Sequence, residues 1–365
     1  MTSARTRGPV RIVGAGLLGA SIGLALRDKS VEVILADASK ATVRLAADYG
    51  AGRPAAEGDA PVLIVVAVPP EAVAEVVARE LAAYPDALVT DVASVKSGIL
   101  TELEHDRADL SRYVGSHPMA GRERGGAVSA RADLFLGRPW VVAPHDGVVE
   151  ARLHVIEDLA LDVGARPVRM SAEQHDHGVA LVSHVPQIVS SLLAARLVEA
   201  PEAEVGLAGQ GLRDTTRIAG SNPELWVQIL GANASAVAEI LSAYRDDLDH
   251  VIHALRHPDR IGAPRTIAEA LVAGNEGVTR IPGKHGQDRR YATLLVTIPD
   301  EPGELGRLLT EIGEEGVNME DLRLEHSPGA QVGFAEIAVL PEAAHRLAAA
   351  LEARGWSLSE PRAGS

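Results

Sequence analysis

A glycine-rich turn near the start of the chain constrains the fold more than any other feature. Gly14, Gly16 and Gly19 follow the β-branched run Val10–Val13 and open a helix predicted over Leu17–Arg27. Glycines at this spacing permit, in order, a tight turn, a close approach of backbone to a pyrophosphate, and close packing of the helix on the strand. The helix N-terminus adds unpaired N–H groups and the positive end of its dipole. The pattern therefore predicts a Rossmann-type dinucleotide site.

The residue that closes the second predicted strand indicates which dinucleotide binds. Asp37 lies 18 residues after Gly19, where a ribose-binding carboxylate belongs. It would accept hydrogen bonds from the ribose hydroxyls and repel a 2′-phosphate, so the sequence favours NAD over NADP. Lys40 argues only weakly for NADP, because Ser39 is expected to cap the next helix and leave Lys40 exposed. The residues predicted to hold the cofactor are Gly14, Gly16, Leu17, Leu18, Gly19, Asp37, Val68 and Pro69.

Strand and helix patterns alternate from Val10 to about Asp146. The short β-branched runs are Val10–Val13, Val31–Leu35, Val62–Val66, Leu88–Thr90 and Trp140–Val142. Alternation of this kind implies right-handed crossovers and a mostly parallel sheet. We therefore predict an α/β fold with a Rossmann-type doubly wound sheet over residues 9–170.

Beyond this domain the strand patterns stop, and apolar residues recur at helical spacing to about His257. A long helix is predicted to begin at Asn222-Pro223, a capping residue followed by proline at the first helical position, and to stop before Pro258. A helix of that length, apolar along more than one stripe, usually packs against a partner chain. We expect an all-helical substrate and dimerisation domain over 171–258, and a homodimer or higher homo-oligomer.

The remaining residues predict a linker and a third domain. Prolines and glycines break up residues 259–290, which are predicted to be a linker. Residues 291–360 then follow a β-α-β-β-α order. That order predicts a separate small α+β domain of ferredoxin-like type.

Composition excludes several classes of function. The chain has 35 Lys+Arg against 50 Asp+Glu, a formal net charge of −15, which argues against nucleic acid or an anionic membrane surface as a partner. The absence of cysteine rules out disulfides, thiolate nucleophiles and Cys-ligated zinc. No stretch approaches the roughly 20 apolar residues that a membrane helix needs, and the first residues lack a signal-peptide pattern. We expect a cytoplasmic protein with no membrane partner.

Two polar loops follow predicted strands and form a second candidate site. They are Asp91-Val-Ala-Ser94-Val-Lys96 and Gly115-Ser-His117-Pro-Met-Ala-Gly121-Arg-Glu123. Loops at the carboxyl ends of strands in a doubly wound sheet face the ligand crevice. A histidine held rigid by the following proline is well placed for acid–base work beside a nicotinamide. Taken alone, Ser94 could equally cap a helix, and His117 could equally be a loop histidine with a structural hydrogen bond.

These loops and a third motif together resemble the prephenate/arogenate dehydrogenases of tyrosine biosynthesis. The third motif is Arg213-Asp-Thr-Thr-Arg217-Ile-Ala-Gly-Ser-Asn-Pro-Glu-Leu-Trp226, and the resemblance covers about residues 10–257. It implies an oxidative decarboxylation, in which hydride leaves C4 of a cyclohexadienyl ring for NAD while the ring carboxylate departs as CO2. Aromatisation of the ring drives the reaction.

The resemblance also implies roles for individual residues. His117 matches the catalytic histidine that hydrogen-bonds the C4 hydroxyl and takes its proton, and Ser94 matches the serine that orients them. Arg217 matches the arginine that holds a substrate carboxylate, a task that suits an always-charged, bidentate guanidinium. Without the resemblance, a helix-surface salt bridge between Arg217 and Asp214 would be the preferred interpretation.

Further family-like positions are expected around the substrate. His175-Asp176-His177 and Ser183-His184-Val-Pro-Gln187 fall there, and His184 and Gln187 are three apart on one helix. Some relatives carry a second histidine where this chain has Gln187, so the sequence leaves prephenate versus arogenate open. The spacing of the histidines in residues 175–177 and 250–257 could suit a metal. The helix that carries the histidines of 250–257 is otherwise charged, however, and no metal site is predicted. The predicted substrate-binding residues are Arg217, His184, Gln187 and Glu123.

The C-terminal domain resembles the ACT domains that bind amino acids. A Pro302-Gly303 turn lets backbone come close to a ligand, and the N-terminus of the next helix can hold a carboxylate. The resemblance implies a regulatory site at Asp300, Pro302, Gly303 and Asn318. Tyrosine is the expected effector, although many such domains only mediate assembly.

Two other functions compete with this interpretation. A different ACT-regulated dehydrogenase, for homoserine or a hydroxy acid, is disfavoured by the Ser-His-Pro-Met-Ala-Gly loop, and no catalytic lysine can be assigned. A sensor of nucleotide and amino acid without turnover would require the loss of His117, Ser94 or Arg217, and all three are present. The sequence therefore favours an NAD-dependent prephenate dehydrogenase, with arogenate as the alternative substrate.

Overall fold

The computed structural model describes residues 4–106, 108–121, 125–281, 291–299, 301–326, 332–358 and 362–363. The chain divides into two compact units, Met1–Arg245 and Asp246–Ser365.

An eight-stranded sheet forms the centre of the first unit. Its strands are β1 (Val10–Val13), β2 (Val33–Ala36), β3 (Arg53–Pro54), β4 (Leu63–Val66), β5 (Leu88–Asp91), β6 (Tyr113–Pro118), β7 (Pro139–Ala143) and β8 (Arg166–Arg169). They lie in the order β3-β2-β1-β4-β5-β6-β7-β8, and neighbours are parallel except for the antiparallel pair β6–β7. The first six strands thus follow the 3-2-1-4-5-6 order of dinucleotide-binding sheets, in which ligands bind where the order reverses, between β1 and β4.

Five helices cover both faces of this sheet. They are α1 (Leu17–Asp28), α2 (Lys40–Asp48), α3 (Val73–Ala83), α4 (Ser97–His105) and α5 (Glu150–Asp162). Because both faces are covered, all four residues of β4 are buried, as expected for a central parallel strand. One apolar cluster contains Ile12, Ile22 and Ile156, and the other contains Ile64, Val77 and Leu103. The predicted doubly wound α/β sheet is confirmed.

The rest of the first unit is helical, as predicted. Its helices are α6 (Ala172–Val179), α7 (Val185–Ala195), α8 (Glu202–Val205), α9 (Gln210–Thr216), α10 (Pro223–Ala232) and α11 (Ala234–Arg256), the last of which continues into the second unit. A π-helical turn, Ala180–His184, joins α6 to α7, and a 3₁₀ turn, Arg217–Gly220, follows α9.

The long helix predicted to begin at Asn222-Pro223 is in fact two helices. The Asn222 side chain caps α10 by accepting a hydrogen bond from the backbone N–H of Glu224 at 2.9 Å, as the capping prediction required. The helix then ends at Asn233, and α10 and α11 are bent by 95°. At this break the buried side-chain amide of Asn233 bonds to α6 and the π-turn. Apolar periodicity carries no information about such a break.

One helical run is more apolar than the sequence led us to expect. Among the described residues, Ala172–Ala195 is long and apolar enough to cross a membrane, and α10 with α11 passes the same test as a bent pair. This is a weak indication, because core helices of other proteins meet the same criterion. The run carries the buried polar residues His175, Asp176 and His184, which bond to other protein groups.

The second unit contains a helix in the predicted linker. Residues 259–290 include α12 (Ala263–Thr279), so the expectation of an irregular linker is wrong for these 17 residues. Pro264 does not break this helix, because it lies in the first turn of α12, where the backbone N–H that proline lacks would have no partner within the helix. Gly262 precedes it with a left-handed φ of 95°.

The predicted β-α-β-β-α order is present in the C-terminal part. It comprises β9 (Ala292–Pro299), α13 (Glu304–Glu314), β10 (Asp321–His326), β11 (Val332–Val339), α14 (Pro341–Ala353), β12 (Ser357–Leu358) and β13 (Arg362–Ala363). The strands are antiparallel in the order β10-β11-β9-β12, and β13 also pairs with β9. Alternate residues of β9 are buried against the two helices, which gives this module its own core.

Candidate active site

A cavity of 1180 Å³ opens at the carboxyl ends of β1, β2, β4, β5 and β6. Residues of the π-turn and of α10 line its other side, including His184 and Trp226. All of its lining residues belong to the first unit. The cavity therefore lies at the position where the topology of the sheet predicts a ligand.

Glycine suits each of the three positions of the turn for a different structural reason. Gly14 has a φ of 101°, and a Cβ atom there would lie 2.4 Å from the carbonyl oxygen of Ala67. A Cβ on Gly19 would lie 1.9 Å from the Gly14 oxygen. A Cβ on Gly16 would meet no protein atom within 4 Å, although this residue lines the cavity. Gly14 and Gly19 are thus required by the protein's own packing, whereas Gly16 leaves open space of the kind that a pyrophosphate would occupy.

Asp37 braces the same turn. Its Oδ2 accepts the backbone N–H of Ala15 at 2.9 Å, and its Oδ1 accepts that of Ser39 at 2.8 Å. Each oxygen retains a lone pair, so the carboxylate can still accept ribose hydroxyls. Ser39 caps α2 by accepting the N–H of Thr42, as predicted, and Lys40 is exposed. The remaining predicted cofactor contacts Leu17, Leu18, Val68 and Pro69 also line the cavity.

Ser94 and His117 line the cavity from the ends of β5 and β6. The His117 ring is half-buried, and its Nδ1 lies 2.9 Å from Nε2 of His175. Burial, together with the neighbouring His175, Lys96 and His184, lowers the pKa of His117 well below its usual range. His117 is therefore neutral at pH 7 and able to accept a proton.

Sequence reasoning did not place His175 and Asp176 beside His117. His175 is fully buried, and its Nδ1 lies 2.8 Å from Oδ1 of Asp176. The Asp176 carboxylate also accepts the backbone N–H groups of Lys96 and Ser97, each at 2.8 Å, at the start of α4. Burial alone would raise the pKa of Asp176, but these hydrogen bonds lower it overall. The available signal was a His-Asp pair in the first turns of the long helical run Ala172–Ala195, which begins at the Ser171 capping box.

His184 lies on the other side of the cavity. Its side chain is almost fully buried, and its Nδ1 lies 3.1 Å from Nδ2 of Asn233. The Asn233 amide also donates to the backbone oxygen of Asp176 at 2.7 Å. The His184 and Trp226 rings are nearly perpendicular, with ring centroids 6.1 Å apart. His184 belongs to the π-turn, a feature that recurs at functional sites.

A buried charge cluster holds the loop that carries Ser94. The Lys96 ammonium contacts Oδ1 of Asp91, and the Tyr113 hydroxyl donates to Oδ2 at 2.6 Å. Asp91 is fully buried, and its Oδ1 also accepts the backbone N–H of Ala93 at 2.8 Å. Burial beside Asp91 raises the pKa of Tyr113 well above its usual range. Because Asp91 and Lys96 are buried, water does not compete for these bonds, and the cluster holds the loop in place.

Two models of known families match successive parts of the chain. Residues 22–169 match the prephenate dehydrogenase nucleotide-binding domain, and residues 171–268 match the prephenate dehydrogenase dimerization domain. The chain belongs to the prephenate dehydrogenase family. A relative over nearly the whole chain is the probable prephenate dehydrogenase NovF of Streptomyces niveus, 36% identical over 94% of this chain and 98% of its own length.

Two solved structures share this fold over about three quarters of the chain. The prephenate dehydrogenase from A. aeolicus, in complex with hydroxyphenyl propionate and NAD+, is 26% identical, with a TM-score of 0.65 over 76% of this chain and 99% of that one. The Synechocystis arogenate dehydrogenase is also 26% identical, with a TM-score of 0.62 over 73% of this chain and 99% of that one.

Two family-like positions, Gln187 and Arg217, are not brought into the lining of the cavity. Gln187 is buried, but its amide donates to Ser191 and accepts from Ser221, both at 3.3 Å. Arg217 is exposed on the 3₁₀ turn after α9, and Asp214 accepts a hydrogen bond from Gln210 instead of pairing with it. Glu123 lies outside the described residues.

The predicted regulatory positions lie in the second unit. Gly303 precedes α13 with a left-handed φ of 99°, directly after Pro302. The Asn318 amide donates to Oε1 of Glu320 at 3.1 Å. Asp300 lies outside the described residues.

Proposed function

We propose that the chain is an NAD-dependent prephenate dehydrogenase that converts prephenate and NAD+ to 4-hydroxyphenylpyruvate, CO2 and NADH for tyrosine biosynthesis. The observation that carries this proposal is the position of His117. Its neutral ring lines the same cavity as the glycine turn, at the switch point of the sheet. Family membership and the NAD+ bound by the A. aeolicus relative support the same reaction.

NAD is held by the glycine turn. The N-terminus of α1 and the open backbone at Gly16 suit the pyrophosphate, and Asp37 suits the ribose hydroxyls. Val68 and Pro69 form a wall of the crevice. When bound, NAD+ supplies a hydride acceptor, and the chain's own groups supply everything else.

His117 handles the proton of the C4 hydroxyl. As C4 becomes a carbonyl, the neutral imidazole accepts the hydroxyl proton. Loss of CO2 then leaves a phenolate oxygen at the same position, which takes the proton back. The reaction therefore releases no net proton, and His117 returns to its neutral form. Ser94, on the same wall of the cavity, is proposed to orient the hydroxyl and the ring.

Arg217 is proposed to hold a substrate carboxylate. Its guanidinium is exposed and has no ion pair within the described residues. Ser221, which follows the same 3₁₀ turn, bonds to Gln187 of α7, so the turn lies beside the helix that directly follows His184. The segment that matches the family's dimerization domain carries exposed apolar side chains such as Leu192, Leu207 and Val227, and we propose that the chain is a homodimer through residues 171–258.

Arogenate is the alternative substrate. The solved arogenate dehydrogenase and the solved prephenate dehydrogenase are equally identical to this chain, so identity does not separate them. Gln187 does not line the cavity, and its amide is hydrogen-bonded to two serines, so we propose that it does not contact the substrate side chain directly.

The deciding experiment follows NAD reduction by the purified chain with prephenate and arogenate in parallel. We expect turnover of prephenate with the higher kcat/KM. A higher value for arogenate would reverse the substrate assignment and leave the chemistry intact. No turnover of either, with NAD binding intact, would favour another dehydrogenase substrate or a sensor.

The small C-terminal domain is proposed to be an ACT-like regulatory module that binds tyrosine. The β-α-β-β-α order and the left-handed Gly303 at the start of α13 support the proposal. Tyrosine titration should lower activity and raise the melting temperature. If neither changes, the module has another role.

A further inference from the structure

Both histidines that line the cavity are connected to Asp176, through different atoms. The carboxylate of Asp176 reaches His117 by way of His175, and its backbone oxygen reaches His184 by way of Asn233. His175, Asp176, His184 and Asn233 are each at most 7% exposed. At that burial, every hydrogen bond has a definite donor and acceptor, because an unpaired polar group would be costly.

The carboxylate branch determines the tautomer of His117. A carboxylate can only accept, so Nδ1 of His175 carries a proton. Nε2 of a neutral His175 then has only a lone pair, and it accepts from Nδ1–H of His117 at 2.9 Å. His117 is consequently left with an unprotonated Nε2, which has no hydrogen-bond partner in the described part of the chain.

The backbone branch determines the tautomer of His184 in the opposite sense. A backbone oxygen can only accept, so the Asn233 atom 2.7 Å from it is the NH2 nitrogen and not the amide oxygen. The second proton of this NH2 group points to Nδ1 of His184 at 3.1 Å, which must accept it. The proton of a neutral His184 therefore resides on Nε2.

We propose that Asp176 and Asn233 are positioning residues that give the two histidines opposite tautomers: His117 presents a bare Nε2 to accept a proton, and His184 presents Nε2–H to a substrate oxygen. The use made of the tautomers rests on the proposed function, but the tautomers themselves do not. Two backbone N–H groups at the N-terminus of α4 anchor the Asp176 carboxylate, where the helix dipole also favours a negative charge.

The two branches can be broken separately. Asp176→Ala removes the carboxylate but keeps the backbone oxygen, so it should release His117 and leave His184 unchanged. Asn233→Ala should release His184 and leave His117 unchanged. Asp176→Ala leaves the two backbone N–H groups at the start of α4 without an acceptor. Asp176→Asn is the milder variant, because its amide oxygen can still accept one of them.

The first test is long-range ¹H–¹⁵N NMR of the histidine-labelled full chain without ligand, near neutral pH. Signals are assigned with His117→Gln and His184→Gln. We expect the Nδ1–H tautomer for His117 and the Nε2–H tautomer for His184. The reverse tautomer at either ring would overturn the proposal, whether or not the protein turns over prephenate. The expected tautomers without any turnover would instead leave the inference standing and reject the proposed function.

Kinetics separates these roles from a merely structural one. Asp176→Ala or Asp176→Asn should lower kcat roughly 10- to 100-fold with little change in the KM for prephenate, because the base is mispositioned. Asn233→Ala should raise KM roughly 3- to 10-fold with kcat retained, as expected for one lost hydrogen bond. The proposal would be contradicted if both variants showed the same fall in kcat and the same rise in KM, together with lower melting temperatures.

Discussion

The cofactor side of the cavity is built from backbone, whereas its substrate side is built from buried side chains. On the cofactor side, the 14–19 turn is one contiguous segment, and its essential features are the missing Cβ atoms of Gly14, Gly16 and Gly19. On the substrate side, His117 depends on residues 58 and 59 positions later in the chain. The comparison indicates that the first side depends mainly on the backbone of one short segment, held against Ala67 and braced by Asp37, and the second on hydrogen bonds formed only when distant segments pack together.

The largest expected effect tests the substrate side alone. His117→Asn should lower kcat about 10²- to 10⁴-fold, the usual contribution of a general base, and leave the NAD dissociation constant unchanged. Asparagine can still donate to His175 from the position of Nδ1, but it has no atom in place of Nε2. His145→Asn is the matched control, since His145 bonds to backbone oxygens outside the cavity. Near-native kcat in His117→Asn would refute the assigned role.

A glycine pair tests the cofactor side. Gly19→Ala should lower the free energy of unfolding by about 1–3 kcal/mol and disrupt NAD binding, because its Cβ would overlap the Gly14 oxygen. The Cβ atom of Gly16→Ala would contact no protein atom, so this substitution should lower the free energy of unfolding by about 0.5 kcal/mol or less. Its main effect should be weaker NAD binding. Denaturant unfolding and NAD titration measure both. Equal destabilisation by the two substitutions would refute the distinction between packing and ligand access.

The Arg217→Gln variant tests whether a residue outside the cavity lining contributes to substrate binding. A lost charged hydrogen bond is worth about 1.5–3 kcal/mol, so the KM for prephenate should rise at least tenfold, with kcat less affected. The melting temperature should not change, because the Arg217 side chain is exposed. Steady-state kinetics at several prephenate concentrations gives the answer. An unchanged KM would restrict the substrate site to the residues that line the cavity.

The smallest expected effect is a shift in pH dependence. Activity requires neutral His117, so kcat/KM should fall as pH drops through the pKa of this group. Because that pKa is lowered well below its usual range, the acid limb should lie well below pH 6.5. A pH profile of kcat/KM measures it. An acid limb near 6.5 would mean that His117 is not buried among other basic groups in the free enzyme.

Most of the fold could be predicted from sequence, because the signals were local. The glycine turn, the alternation of strands and helices, and the cap at Asn222 each depend on neighbouring residues and matched the structure. The break at Asn233 and helix α12 could not be predicted in this way. The buried amide of Asn233 bonds groups on α6 and the π-turn, which are distant in sequence, and Pro264 is tolerated because it lies in the first turn of α12.

By itself, the sequence determined the dinucleotide-binding fold, the position of the glycine turn and the identities of Ser94 and His117 at strand ends. The reason is that glycine spacing, strand periodicity and loop position are properties of short segments. Only the tertiary structure decided that His117 meets His175, that Asp176 connects it to α4, and that Gln187 and Arg217 stay out of the cavity lining. These relations depend on which distant polar groups are buried together, and their energy arises only when packing excludes water from them.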